Sequence, residues 1–125
     1  GHIKISEYNY VEAKSTFEKA YKMYDSINDV WGAASAKLGI GKVSNKLEQY
    51  DTAKEELKIA QTLFKSINDK LGQANTTKEL GETYKKQNKG DHAKSYYYDA
   101  KLLYESMNEH EQAEKCKENM ILLED

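Results

Sequence analysis

The single thiol and its nearest imidazole are the residue pair best suited to nucleophilic chemistry. Cys116 is the only cysteine, and His110 precedes it by six residues. A catalytic dyad needs the base within hydrogen-bond reach of the nucleophile. At about 100° per residue, a separation of six puts the two side chains on different faces of a helix. We therefore expect Cys116 to be an inert, buried side chain.

A metal site would need its ligands gathered in one place. His92 follows Asp91, and His110 lies near Glu111 and Glu114. Each group offers at most three ligands, where a structural zinc site uses four. The sequence also lacks a glycine-rich phosphate loop, a nucleophile elbow and an HExxH pattern. We expect no catalytic residue, no metal and no cofactor, so the chain is predicted not to be an enzyme.

Composition limits the class of partner. The 125 residues carry a formal charge of −2, and all 19 basic residues are lysines. Without arginine the chain cannot make bidentate contacts to guanine or phosphate, and its near-neutral charge gives no strong field for a polyanion. No apolar run approaches the roughly 20 residues of a membrane span. These features disfavour nucleic acid and membrane binding, and the lone cysteine favours a reducing, cytoplasmic location.

A repeat with a period of about 40 residues organises the chain, as the even spacing of Ser26, Ser66 and Ser106 shows. Without proline and with only seven glycines, the repeated segments are predicted to be helices. Five small or apolar positions recur in each unit with the spacing i, i+4, i+7, i+11, i+14, which is one face of a helix. They are Ala13/Ala53/Ala93, Phe17/Leu57/Tyr97, Ala20/Ala60/Ala100, Tyr24/Phe64/Tyr104 and Ile27/Ile67/Met107.

We name the helices that carry this stripe B helices and expect them at roughly 10–27, 51–67 and 91–107. A second stripe predicts A helices between them. It is weakest in the middle copy, where Thr76 and Thr83 occupy stripe positions. The recurring words IND and MNE mark the ends of B helices, because asparagine tolerates the left-handed conformation and a following Asp or Glu can cap or charge-match the next helix.

The predicted fold is all-α, a single stack of antiparallel helical hairpins over residues 3–125. Gly1 and His2, at a start without methionine, are expected to be a tag remnant. A truncated A turn and a B helix occupy the partial repeat 3–28. Repeats 29–68 and 69–108 follow, and a terminal A-type helix spans 109–124, giving seven helical segments.

Leu80, Gly81 and Tyr84, followed by Ala93 and Tyr97, resemble the tetratricopeptide repeat, whose pattern is Leu-Gly-x-x-Tyr and then Ala-x-x-x-Phe-x-x-Ala. The second unit matches less fully, with serine in place of the tyrosine. The long period is similar to that of kinesin light chains, Pins-type adaptors and bacterial peptide-sensing regulators. The resemblance implies a right-handed α–α superhelix that binds a protein or peptide.

The resemblance also places the binding surface on the concave side, where A helices lie. Carried over by register, the groove residues are Ser35, Leu38, Lys42, Asn45, Gln49, Asn75, Lys78, Glu82, Lys85 and Lys89. Lysines outnumber acids there, which indicates a mildly acidic peptide. The alternative is an ordinary solvated face. A clamp for a peptide's terminal carboxylate is disfavoured, because arginine is absent and Glu79 and Glu82 occupy matching positions.

Three aromatic residues leave a second choice open. Tyr96, Tyr98 and Trp31 form either an aromatic hot spot for a partner or ordinary packing between helices. Two rival functions also stay open. The repeats can be an oligomerisation or spacer module that self-associates through its cut ends, or the peptide-sensing part of a larger signalling protein.

Overall fold

The computed structural model describes residues 5–123, which form six α-helices. They are α1 (Ile5–Ser26), α2 (Val30–Lys46), α3 (Tyr50–Ser66), α4 (Lys70–Lys86), α5 (Gly90–Ser106) and α6 (His110–Leu122). Helices α1, α3 and α5 are the B helices of the sequence pattern, and α2, α4 and α6 are the A helices. The expected tag remnant at residues 1–2 lies outside this range.

Each helix packs against the next in an all-α stack of antiparallel hairpins, and α2 also contacts α4 across the intervening helix. This confirms the predicted fold class. The prediction of a separate truncated A turn at the start is wrong, because α1 runs unbroken from Ile5 to Ser26. Over the residues described, no helix combines the length and apolar character that a membrane span requires.

The five turns between helices share one conformation. Each places a residue with φ between 55° and 61° just after the helix end, at Asn28, Glu48, Asn68, Asn88 and Asn108. At the turn after α3, the N–H of Asp69 donates to the carbonyl of Phe64 over 3.0 Å and the N–H of Asn68 donates to that of Lys65 over 3.1 Å. This pair of bonds is the Schellman motif, which satisfies carbonyls left over at a helix end.

The repeated IND words act as predicted. Their asparagines take the left-handed conformation, and the side chains of Asp29 and Asp69 accept from the backbone N–H of Gly32 and Gly72, each over 2.9 Å. These bonds cap the N-termini of α2 and α4. Glu109 makes no such bond at the start of α6, so only charge-matching to the helix dipole remains for it.

The B-helix stripes fill the space between successive A helices. Ala53, Leu57, Ala60 and Phe64 of α3 are 3% exposed or less, and so are their counterparts in α5. Each large apolar side chain buried in this way contributes about 1.5–3 kcal/mol. The close approach needs glycine on the facing helix, since a Cβ added at Gly41 would collide with the Leu57 side chain.

Helix α4 packs in register although its apolar stripe is weak. Its stripe residues Thr76 and Thr83 are buried, and both hydroxyls have partners. Thr76 donates to the carbonyl of Gly72 over 2.8 Å, and Thr83 donates to Oδ1 of Asn45 over 2.8 Å. A threonine hydroxyl that bonds within its own helix or to the neighbouring A helix can therefore replace an apolar side chain here.

Candidate functional site

The outward sides of α2, α4 and α6 form the surface that the sequence predicts for partner binding, here named the A-helix face. Of the predicted groove residues, Lys42, Gln49 and Lys89 are exposed. Asn45 is buried, with only 1% of its surface exposed. The others are half-buried, namely Ser35, Leu38, Asn75, Lys78, Glu82 and Lys85.

Asn45, which the sequence predicts to be a groove residue, is buried and uses its amide inside the stack. Its Nδ2 donates to Oε1 of Glu79 over 3.0 Å, and its Oδ1 accepts from Thr83. Both ends of the amide are thus used to join α2 to α4. The physical reason is position, because residue 45 faces the neighbouring A helix and not solvent.

Two predicted lysines make similar cross-links to the last helix. Lys85 donates to Oδ1 of Asn119 over 3.0 Å, and these two positions lie one repeat period after Asn45 and Glu79. Lys78 donates to Oε1 of Gln112 over 3.1 Å. The polar groups of this face therefore have a structural role between successive A helices.

Two tyrosines of α5 reach the same face from below. The hydroxyl of Tyr97 donates to Oε2 of Glu82 over 2.7 Å, and that of Tyr104 donates to Oδ1 of Asn75. Both rings are 0% exposed. Burial raises the pKa of each phenol, and the bond to Glu82 raises the pKa of Tyr97 further. The hydroxyls therefore keep their protons, and remain donors, to a higher pH than those of exposed tyrosines.

A cavity of about 240 Å³ opens between α2 and α4 on the A-helix face. Its lining has four ammonium groups and two carboxylates, from Lys42, Lys46, Lys78, Lys86, Glu79 and Glu82. The sequence pattern predicted Lys42, Lys78 and Glu82 but missed the other three. The repeat register assigned residues 45 and 85 to the groove. The residues that line the cavity are the next ones along each helix, 46 and 86.

The acidic groups of this cavity do not pair with its lysines. Glu82 lies 3.9 Å from Lys85, and the ion pairs of residues 5–123 include none that joins Glu79 or Glu82 to a lysine of the cavity. Lys42 and Lys46 are exposed. The cavity therefore presents ammonium groups to solvent, with an excess of positive charge.

The three aromatic candidates lie in different surroundings. Tyr96 packs on the core around Leu57 and stacks on Tyr84 with ring centres 5.2 Å apart, so interhelix packing describes it. Burial raises the pKa of Tyr96. Tyr98 is 47% exposed, and Trp31 is 59% exposed while its Nε1 donates to Asp69 over 3.1 Å. Of the three residues, Tyr98 and Trp31 therefore present exposed rings.

The groups considered for chemistry give neither an exposed thiol nor a metal cluster within residues 5–123. Cys116 is 0% exposed, and burial raises the pKa of its thiol although Lys78 acts in the opposite direction. A buried, protonated thiol is a poor nucleophile. Within residues 5–123, no three His, Cys, Asp or Glu side chains gather as a metal site.

The first helix exposes part of its apolar stripe. Ala13, Phe17 and Ala20 are half-buried, whereas their counterparts in α3 and α5 are 0% exposed. Met23 near the end of α1 and Ile27 just after it are 64% and 65% exposed. This surface has the residue types that bind an A helix in the other repeats.

The last helix differs at the positions where an A helix meets its own B helix. Glu114 stands where α2 has Ala34, and Ile121 stands where α2 has Gly41. Ala34 packs in the core, and Gly41 leaves room for Leu57. The two ends of the stack are therefore not equivalent, and α6 of one copy cannot dock on α1 of another by the packing used inside the chain.

Comparison with known proteins gives one family. The sequence model described as Soluble NSF attachment protein, SNAP, matches residues 4–124. No curated protein gives a significant match. The family match covers nearly the whole chain, including all six helices of the structure.

Proposed function

Because the chain belongs to the soluble NSF attachment protein family, we propose that it is a protein-interaction module that binds an acidic segment of a partner in the cavity between α2 and α4. The family is a non-catalytic adaptor family with a helical-repeat fold. We further propose that the hairpins are tetratricopeptide repeats of long period. The even spacing of the A-helix starts at Val30, Lys70 and His110 supports this assignment.

The excess of lysine in the cavity is the observation that carries the proposal. Four ammonium groups and two carboxylates line it, and Lys42 and Lys46 extend into solvent. Each ammonium has three donors and can follow a mobile carboxylate. Complementary charge of this kind raises the rate of encounter and selects acidic partners, and added salt weakens it.

Fluorescence anisotropy with a labelled oligoglutamate peptide tests the proposal. The double variant Lys42→Glu/Lys46→Glu should lose at least about tenfold in affinity, since each opposed charge pair costs about 1 kcal/mol at the surface. The matched control Lys58→Glu/Lys65→Glu makes the same change in net charge on exposed residues of α3. It should keep the affinity of the unaltered protein.

Three results with peptide probes would overturn the proposal, and a fourth concerns salt. They are no binding of oligoglutamate by the unaltered protein, equal loss in the two double variants, and tighter binding of an oligolysine peptide of the same length. Binding that is unchanged by added salt would also contradict it, because exposed charge pairs are screened.

The exposed stripe of α1 favours self-association as a second candidate function. Exposed apolar and aromatic side chains occur at the end of α1, in the following turn and at the start of α2, namely Met23, Tyr24, Ile27 and Trp31. A second copy that covered this surface would bury it. Sedimentation equilibrium should then give a mass that rises with concentration, and Met23→Glu/Ile27→Glu should return it to that of one chain. A constant monomeric mass would exclude this function.

A further inference from the structure

We propose that Tyr97 and Asn45 are positioning residues that hold the carboxylates of Glu82 and Glu79 against the floor of the cavity, which keeps these carboxylates from competing with an acidic partner for the cavity's lysines. This inference rests on the proposed function, because it concerns the affinity of the same cavity for acidic segments. Neither residue needs to touch the partner.

The first tether comes from helix α5. The Tyr97 ring is 0% exposed, and its hydroxyl donates to Oε2 of Glu82 over 2.7 Å. A buried ring held on all sides has a fixed direction, so its hydroxyl defines where the carboxylate lies. A hydrogen bond to a charged acceptor of this length is among the stronger ones in proteins.

The second tether comes from helix α2. Thr83 donates to Oδ1 of Asn45, which orients the amide so that Nδ2 points at Oε1 of Glu79. Asn45 is 1% exposed, and its Nδ2 also lies 3.4 Å from the backbone carbonyl of Glu79. The two carboxylates of the cavity are thus both bonded to neutral donors that lie under the surface, and Glu82 also lies 3.9 Å from Lys85, which is not part of the cavity lining.

Release of either carboxylate would change what the cavity offers. Lys78 and Lys86 lie four residues before and after Glu82 on the same helix. A glutamate four residues before a lysine is the favourable order for an ion pair on a helix surface. An untethered Glu82 would therefore pair with Lys86 and compete with an incoming acidic segment.

The preceding repeat supplies an internal comparison. Leu57 occupies the position of Tyr97, and Lys42 occupies the position of Glu82. Where the A helix has no carboxylate, the B helix has no hydroxyl. The tyrosine and the glutamate occur together in the repeat 69–108, which is the pattern expected of a tether and its target.

A double-mutant cycle tests the inference with the labelled oligoglutamate probe. Tyr97→Phe should weaken binding about 1.4- to 2.3-fold, the size of one competing helix-surface ion pair of about 0.2–0.5 kcal/mol. The same change in a Glu82→Gln background should have no effect, because no carboxylate is released. Tyr104→Phe is the matched control, since its hydroxyl bonds to the neutral Asn75, and it should leave affinity unchanged.

The outcomes separate this inference from the proposed function. If the unaltered protein does not bind the probe, both fail. If it binds but Tyr97→Phe binds equally well, or loses the same affinity with and without Glu82, the tether is refuted while the binding function stands. Tyr97→Leu, which copies the residue of the preceding repeat, provides a second variant if the phenylalanine variant does not fold.

Discussion

The side-chain amide of Asn45 donates a 3.0 Å hydrogen bond to Oε1 of Glu79, which lies on the next A helix. Lys85 and Asn119, each one repeat period further along, form the same link, also at 3.0 Å. Successive A helices are therefore joined by polar cross-links on one face and by the apolar B-helix stripes beneath. Part of the polarity that the sequence assigns to partner binding serves the stack itself.

The first prediction concerns this cross-link. Asn45→Ala removes the buried amide, so Glu79 loses its donor and Thr83 keeps only the carbonyl of its own helix. We expect the free energy of unfolding to fall by about 1–3 kcal/mol in urea denaturation. Lys42→Ala, at an exposed position of the same helix, should stay within about 0.5 kcal/mol. Equal effects at the two positions would contradict the structural role of Asn45.

The second prediction compares two glycines. A methyl group at Gly41 would collide with Leu57, so Gly41→Ala should cost about 1–3 kcal/mol in the same assay. At Gly90, the first residue of α5, the nearest atom to an added Cβ is 4.0 Å away. Gly90→Ala should therefore stabilise the protein by up to about 1 kcal/mol, the helix preference of alanine over glycine. If both substitutions changed the free energy of unfolding in the same direction, contact with Leu57 would not be what distinguishes the two positions.

The sequence specifies the fold well because its strongest signals are local. Apolar spacing predicts the B helices, and each IND word predicts the turn that follows one. The turns after A helices went unpredicted, since Glu48 and Asn88 stand in the words LEQY and QNKG, which do not repeat. The structure shows that they have the same conformation as the others.

The site was harder to predict because it depends on the direction of each side chain around its helix axis and on the residues of other helices that it contacts. One residue along a helix is about 100° around it, so Asn45 faces helix α4 while Lys46 faces the cavity. The bond from Tyr97 to Glu82 links two different helices, and no spacing in the sequence reports it. Charge could be predicted from the sequence, whereas the hydrogen-bond partners could not.

The third prediction concerns the one turn that departs from asparagine. Glu48 has φ of 61°, a conformation that costs most side chains about 1–2 kcal/mol and asparagine less. Glu48→Asn should therefore raise the free energy of unfolding by about 0.5–1 kcal/mol. The control Glu55→Asn lies at an exposed position within α3, where asparagine is the poorer helix former and should destabilise slightly. A loss of stability in both variants would contradict the assigned strain at the turn.

The fourth prediction concerns alkaline pH. Burial raises the pKa of Tyr97 and Tyr104 above the ordinary tyrosine value of 10.0. In the unfolded chain both phenols lose their protons near that value, while the folded protein retains them. The unfolded state therefore binds fewer protons at high pH. The contribution of the two tyrosines to the free energy of unfolding is complete below about pH 10 and is lost as the pH rises further. Denaturation in urea over a series of alkaline buffers measures this slope, which the double variant Tyr97→Phe/Tyr104→Phe should flatten. An equally steep fall in that variant would assign the loss of stability to other groups.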